Sequence, residues 1–162
     1  MADERAQRLA DAQSADVALL AVVPHQHLVS GLQTQSASGR VAYGTDNAML
    51  LPELEHELGG QSCCVLIYAS EAPYSGAPMA RWRAIYSRQT PAKHGRHPEH
   101  ATYRPSTTDS DGAWLTFWEV IDLEELPTEE ALPMSKLRAR RRKTNLPADY
   151  IPKGPLVIDN PY

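Results

Sequence analysis

The sequence predicts an α+β fold in which a small mixed or antiparallel β-barrel carries short peripheral helices. A length of 162 residues favours one compact domain. Thirteen prolines and nine glycines suggest short elements joined by turns rather than a helical bundle. Several apolar runs have the length of strands, and the spacers between them lack the regular crossover helices of a parallel sheet.

The amino-terminal segment is predicted to be a polar surface helix. Ala2–Gln13 offers only Leu9 and several alanines to a core, so we assign residues 1–15 to a polar helix or arm and residues 16–162 to a single domain. This terminus lacks the apolar core of a signal peptide. The chain contains no run of 18 apolar residues, so we expect no transmembrane helix and no membrane partner.

The next segment is predicted to contain the first buried strand. Val17–Pro24 (VALLAVVP) is a short apolar run that ends at proline, which favours a strand over a helix. Residues 25–31 are expected to form a turn or one helical turn, and residues 33–39 a polar loop. Residues 41–44 are expected to be briefly extended.

The middle of the chain is predicted to form a helix followed by a β-hairpin. Residues 51–58 (LPELEHEL) have a proline in the first turn and are followed by two glycines, which is typical of a short helix. Residues 63–70 (CCVLIYAS) are a strongly apolar strand. Residues 79–88 (MARWRAIYSR) alternate like a second strand, and the turn SEAPYSGAP joins the two.

The last third of the chain is predicted to alternate between long polar stretches and strands. Residues 90–112 are polar and long for a loop inside a compact domain. Residues 113–123 (AWLTFWEVIDL) form the third strong strand. An acidic connector leads to a short helix at residues 134–142, which carries a basic run, and residues 156–158 form a final strand.

Charge and cysteine content restrict the partners and the compartment. The net charge is −4, so a nucleic-acid partner would need a local basic patch. Cys63 and Cys64 are adjacent, and neighbouring residues of a strand point to opposite faces, so we expect no disulfide. We therefore expect a reducing, cytoplasmic compartment. No motif indicates a cofactor, and we expect none.

Three stretches of the chain resemble the EVE and ASCH members of the PUA-like superfamily. QSCCVLIYAS is similar to the strand that ends in an aromatic and a small residue before the hairpin, and ARWRAIYSRQ to the following barrel strand. WEVIDLEELPTEEALPMSKLR is similar to the closing strand, acidic linker and short helix. The resemblance implies a five- or six-stranded pseudo-barrel with helices in its openings. In that superfamily the cleft between barrel and helices often binds RNA or a modified nucleobase, while some ASCH members are small hydrolases of a modified nucleoside.

The hairpin is the predicted place for base or ligand recognition. Alternation puts Arg81 and Arg83 on the face opposite Trp82. Tyr68 and Tyr74 lie at or beyond a strand end, where binding sites tend to occur. Polar groups there could read the edge of a splayed base while an aromatic ring stacks on it. The predicted ligand-binding residues are Tyr68, Ser70, Glu71, Tyr74, Arg81 and Arg83.

The basic run KLRARRRK (residues 136–143) is the clearest electrostatic feature. It holds six cations in eight residues, and the rest of the chain has ten cations against twenty acids. Arginine binds phosphate in a bidentate manner, so the run is predicted to contact a nucleic-acid backbone. The predicted backbone-binding residues are Arg138, Arg140, Arg141, Arg142 and Lys143. The alternative is a solvated helix face paired with the nearby acids Glu124, Glu125, Glu129 and Glu130.

Metal and nucleophilic chemistry find little support in the sequence. His94, His97 and His100 recur every third residue, but a glycine and a proline interrupt the helix that would align them, so no metal site is predicted. The chain has no GxSxG motif, and no catalytic residue is assigned.

The expected function is that of a nucleic-acid-binding module that recognises RNA or a modified nucleobase in DNA or RNA. Two alternatives stay open. The chain could be a small ASCH-like hydrolase of a modified nucleoside, with Lys93, Glu71 and Tyr68 assembled around a water molecule. It could instead be a protein-interaction module whose basic run binds an acidic protein.

Overall fold

The computed structural model describes residues 2–162, which form a mixed α+β fold; residue 1 of the predicted arm lies outside these residues. The α-helices are α1 (Ala2–Gln13), α2 (His25–Ser38), α3 (Leu50–Leu58) and α4 (His100–Tyr103). The strands are β1 (Val17–Pro24), β2 (Val41–Thr45), β3 (Cys64–Ser70), β4 (Met79–Ala80), β5 (Trp82–Pro91), β6 (Thr116–Glu125), β7 (Leu132–Pro133) and β8 (Leu156–Asp159). Within residues 2–162, no helix combines the length and the apolar character needed to cross a bilayer.

Six strands form one mixed sheet in the order β2-β6-β5-β3-β1-β8, and β4 and β7 form a separate two-stranded sheet. β1 and β3 are parallel, whereas the other neighbours in the large sheet are antiparallel. The predicted hairpin is present, with Ile67 of β3 opposite Trp82 of β5. Across the described chain no barrel closes, because β2 and β8 remain the sheet edges.

The sheet buries side chains on both faces. On the inner face, Leu28 of α2 and Leu54 of α3 pack in a core that contains Trp82 and Trp118. On the outer face, Ala12 of α1 packs with a second core, whose other members include Leu20, Leu66, Ile85, Met134 and Leu137. Most aromatic bulk is therefore core, as expected for strand aromatics.

The large sheet is strongly curved. β1 and β2 are separated by three strands in the sheet order, yet Leu19 and Tyr43 belong to the same inner core. Ala21 of β1 and Gly44 of β2 even line one common groove. β1 and the residues that precede β8 thus face the edge strand β2 across a groove, which we call the seam.

Helix α2 corrects the prediction of a short turn followed by a loop at residues 25–39. Its sequence has few apolar residues, so tertiary contacts hold it. The Gln35 amide donates to the Leu123 carbonyl (3.2 Å) and accepts from the Leu123 N–H (2.7 Å). Gly31 leaves room for the ring of Tyr43, whose hydroxyl donates to the His27 carbonyl (3.0 Å).

The predicted helix at residues 134–142 is wrong. A single 3₁₀ turn, Met134–Lys136, is followed by extended chain that pairs with β8. The N–H of Arg140 donates to the Val157 carbonyl (3.0 Å), and Arg141 has a φ of 69°. Like charges three and four residues apart disfavour a helix here, while the free edge of β8 offers backbone partners.

The long polar segment is more ordered than the sequence suggested. β5 continues to Pro91, and α4 and a 3₁₀ turn, Ser106–Thr108, follow. The carboxylate of Glu119 on β6 fastens this segment to the sheet, because it accepts from His97 Nε2 (2.9 Å) and from the Thr90 hydroxyl. The strand predicted at residues 113–123 begins at Thr116 and ends at Glu125.

Candidate nucleic-acid interface

The structure separates the six predicted ligand-binding residues into two groups. Ser70 is the last residue of β3, and Glu71 and Tyr74 follow it. This end of β3 lies beside the carboxyl end of β1, because Pro24 pairs with Ser70. Arg81 joins them through its contact with Tyr74. We call Ser70, Glu71, Tyr74 and Arg81, together with His25 and Trp82, the strand-end cluster.

Tyr74 is already engaged on several sides. The Arg81 guanidinium lies 4.5 Å from the centroid of its ring, and the edge-on ring of His25 lies 5.9 Å away. Its hydroxyl donates to the Glu125 carboxylate. Burial, followed by this hydrogen bond, raises the Tyr74 pKa. Although 38% of Tyr74 is exposed, Arg81 already occupies a face on which a base would stack.

Two buried nitrogens of the strand-end cluster lack hydrogen-bond partners within residues 2–162. They are His25 Nδ1 and Trp82 Nε1, in rings whose centroids are 6.1 Å apart. The Trp82 N–H lies towards the Tyr74 hydroxyl without hydrogen-bond geometry. Buried polar groups normally find a partner, so this end of the sheet has unused hydrogen-bonding capacity.

Tyr68 and Arg83 lie elsewhere, on the outer face of the sheet. Tyr68 packs against the outer core. Arg83 is 6% exposed, and its guanidinium makes long contacts with Glu124 (3.5 Å) and with the Tyr162 hydroxyl (3.4 Å). It lines a groove of about 580 Å³ beneath α1, where Arg5 and Arg8 also lie. These two side chains therefore cannot share a base with the strand-end cluster.

The basic run forms an exposed turn, which we call the cationic loop (residues 138–143). Asp159 accepts from Arg138 (2.8 Å) and Arg140 (3.0 Å), and these hydrogen bonds lower the Asp159 pKa. Glu57 lies 3.4 Å from Arg140 and 3.6 Å from Arg141. The five cations of the loop thus contact two acids, Glu57 and Asp159.

The acids that the sequence offered as alternative partners do not pair with the cationic loop. Glu124 pairs with Arg5 and Arg83, and Glu125 accepts from Tyr74. In the described part of the chain, Arg142 and Lys143 have no ion pair, and the Arg141 side chain is 86% exposed. Asp16 also acts on Arg140 electrostatically, so the five loop cations exceed the nearby acids by two on a protein whose net charge is −4.

The cationic loop and the strand-end cluster lie at opposite ends of β1. Val17 pairs with Asp159, the acid that binds the loop, whereas Pro24 pairs with Ser70. A strand of this length spans about 23 Å. The predicted single cleft, with base and backbone residues side by side, is therefore not formed.

Three grooves follow one another along residues 153–159 and start at the cationic loop. The first, of about 610 Å³, is lined by the loop cations with Glu57 and Asp159. The second, of about 580 Å³, lies between α3 and β8 and shares Glu57, Arg140 and Arg141 with the first. The third, of about 300 Å³, opens at the seam, and we call it the seam pocket. It is lined by Ala21, Val22, Gly44, Thr45, Asp46, Asn47, Trp114, Trp118, Lys153, Gly154 and Pro155.

The sequence missed the seam pocket because its lining comes from four separate segments. Trp114 falls in the strand predicted at residues 113–123, and Lys153 lies in a proline-rich stretch near the carboxyl terminus of the sequence. Only the curvature of the sheet brings these two residues to one place. Trp114 and Lys153 are 39 positions apart in the sequence, so no local pattern joins them.

The groups required by the hydrolase alternative are not brought together. Glu71 follows β3 near the Trp82 end of β5, whereas Lys93 follows the other end of β5. Burial raises the pKa of Cys63 to about 12 and of Cys64 to about 11, so neither thiol is activated. No three His, Cys, Asp or Glu side chains of residues 2–162 gather as a metal site would require.

The chain matches no protein-family model, no curated protein and no solved structure.

Proposed function

We propose that this chain is a nucleic-acid-binding module of the PUA-like type, which recognises RNA or a modified nucleobase and holds the sugar–phosphate backbone with its cationic loop. The observation that carries the proposal is the charge surplus of the loop. Five cations face two acids there, while the chain as a whole is acidic.

A phosphate backbone suits this arrangement physically. Guanidinium groups bind phosphate oxygens in a bidentate manner, and each bound phosphate releases condensed counterions. Arg141, Arg142 and Lys143 are exposed, so a bound strand can reach them without breaking buried contacts. Arg138 and Arg140 are held by Asp159, which fixes the base of the loop against β8.

The PUA-like assignment is supported by three features of the fold. The large sheet has six strands, which is a number that the resemblance implies. Its curvature brings β2 towards β1, as a pseudo-barrel requires. Helices α2 and α3 pack on the inner face through Leu28 and Leu54.

Charge reversal in the cationic loop tests the proposal. We expect the double variant Arg141→Glu, Arg142→Glu to bind labelled single-stranded RNA at least about tenfold more weakly than the unaltered chain at moderate salt. The slope of log affinity against log salt should fall by about 0.7 for each phosphate that the variant no longer neutralises. Fluorescence anisotropy across a salt series, with unmodified and methylated RNA and DNA strands, measures both quantities.

The matched control is Lys93→Glu, Arg96→Glu, which changes the net charge equally at two exposed residues that line none of the three grooves. Equal loss of affinity in both double variants would show that net charge, not the loop, determines binding. If no oligonucleotide binds and polyglutamate does, the loop is a docking site for an acidic protein. If neither an oligonucleotide nor polyglutamate binds, the proposal is rejected, and hydrolysis of a modified nucleoside is the alternative to test.

A further inference from the structure

The seam pocket has the composition of a small-molecule site. Its volume of about 300 Å³ lies at the lower end of the range for ligand pockets. Ala21 and Trp118, which are 1% and 2% exposed, form its floor. Trp114 forms a wall, and polar side chains lie at the rim. Apolar walls with a few polar groups are typical of small-molecule pockets.

Trp114 is held in place by its surroundings. Its ring lies directly over Gly44, where any side chain would collide with the indole. The indole N–H points to Asp111 (3.4 Å), and the backbone N–H of Trp114 donates to the Gly95 carbonyl (2.9 Å). The indole remains partly exposed and also lines the pocket. A fixed, accessible indole is a stacking surface that needs no rearrangement when a ligand binds.

The rim offers both charges to a ligand. Lys153 and Asp46 are exposed, and within residues 2–162 neither has a hydrogen bond or an ion pair. Asn47 accepts from the Met49 N–H (3.3 Å), which fixes its side chain at the rim. A cation for phosphate and a carboxylate for an amino group therefore flank the aromatic wall.

The pocket is continuous with the surface proposed to hold a backbone. Lys153 precedes Val157 by four residues, and the Val157 carbonyl binds the N–H of Arg140 in the cationic loop. Four residues span at most about 14 Å. One strand of nucleic acid can thus contact the loop and the seam pocket together.

We infer that the seam pocket binds an amino-bearing nucleobase of the bound strand. The base lies against Trp114, Asp46 accepts from its exocyclic amino group, and Lys153 contacts the adjacent phosphate. Adenine, cytosine and guanine carry such an amino group, and uracil does not. This inference rests on the proposed nucleic-acid function, and it specifies which groups of the protein recognise the base.

Mononucleotides test the pocket separately from the loop. We expect AMP or CMP to quench the intrinsic tryptophan fluorescence and to bind more tightly than UMP, while ribose 5-phosphate, which lacks a base, does not quench. Lys153→Ala should weaken binding of AMP or CMP about tenfold, because it removes a charge-assisted contact. Trp114→Ala should weaken it by about tenfold or more, because the stacking surface is removed. Lys136→Ala, an exposed lysine outside the pocket, is the control.

Two comparisons keep the outcomes distinct. Arg141→Glu, Arg142→Glu should weaken oligonucleotide binding but leave mononucleotide binding nearly unchanged, and Asp46→Asn should reduce the preference for AMP over UMP. The inference is overturned if no mononucleotide binds and if oligonucleotide affinity is unchanged by both Lys153→Ala and Trp114→Ala. The proposed function would still stand in that case. Mononucleotide binding without oligonucleotide binding supports the pocket chemistry and rejects the proposed function. Lys153→Ala keeps the test decisive if Trp114→Ala does not fold.

Discussion

At the scale of single residues, Glu119 shows how a polar group is made compatible with burial. It is 1% exposed, and it is bound by Arg40, His97 and the Thr90 hydroxyl. Burial alone would raise its pKa, but these hydrogen bonds outweigh burial and lower the pKa from 4.5 to about 2. The charged form is therefore part of the native structure, and it joins β6 to the segment that carries His97.

This shift makes stability depend on pH in the acid range. The pKa of Glu119 is lower in the folded chain than its value of 4.5 in the unfolded chain. The contribution of this carboxylate to the free energy of unfolding is therefore complete above pH 4.5 and is lost as the pH falls towards 2. The shift corresponds to about 3 kcal/mol. Urea unfolding between pH 7 and pH 2 should therefore show a steeper acid decline in the unaltered chain than in Glu119→Gln.

Glu129→Gln is the control, because Glu129 is exposed. This substitution should leave the dependence of unfolding free energy on pH unchanged. If Glu119→Gln and the unaltered chain decline in parallel between pH 5 and pH 2, the carboxylate is not stabilised as the contacts indicate. The free energy of unfolding of Glu119→Gln at pH 7 should already be lower by about 2–3 kcal/mol, since a buried hydrogen-bonded charge is removed.

At the scale of elements, the sequence predicts what local patterns determine. β1, β3 and the helix α3 followed from apolar runs, a proline and a glycine pair, and the structure confirms them. α2 was missed because contacts from other elements hold it. The cationic loop was mistaken for a helix because its pairing with β8 lies outside any local window.

Gln35 links α2 to β6, and its replacement tests that link. Gln35→Ala leaves the N–H and C=O of Leu123, a residue that is 2% exposed, without their partners. We expect the free energy of unfolding to fall by about 2–3 kcal/mol. Gln33→Ala, in the same helix at an exposed position, should change it by less than about 0.5 kcal/mol. Equal effects in chemical denaturation would mean that Gln35 does not hold the helix.

At the scale of the whole molecule, curvature of the sheet decides which residues can act together. The sequence identified the charge of the cationic loop and the aromatic hairpin, but it placed them in one cleft. The register of β1 places the cationic loop and the hairpin turn at opposite ends of that strand. Arg83 of the hairpin instead lines the groove beneath α1. The seam pocket needs the approach of β1 and β2, which are consecutive strands in the chain but have three strands between them in the sheet order. No single segment encodes that approach.

The central claim, that one strand of nucleic acid lies along the loop and the seam pocket, is tested most directly by amide NMR spectra recorded during titration with a short single-stranded RNA. We expect the largest shifts at residues 44–47, 114, 138–143 and 153–157, and little change at residues 70–81. Shifts concentrated at residues 70–81, with none at residues 138–143 or 153–157, would contradict it and place the site at the strand-end cluster.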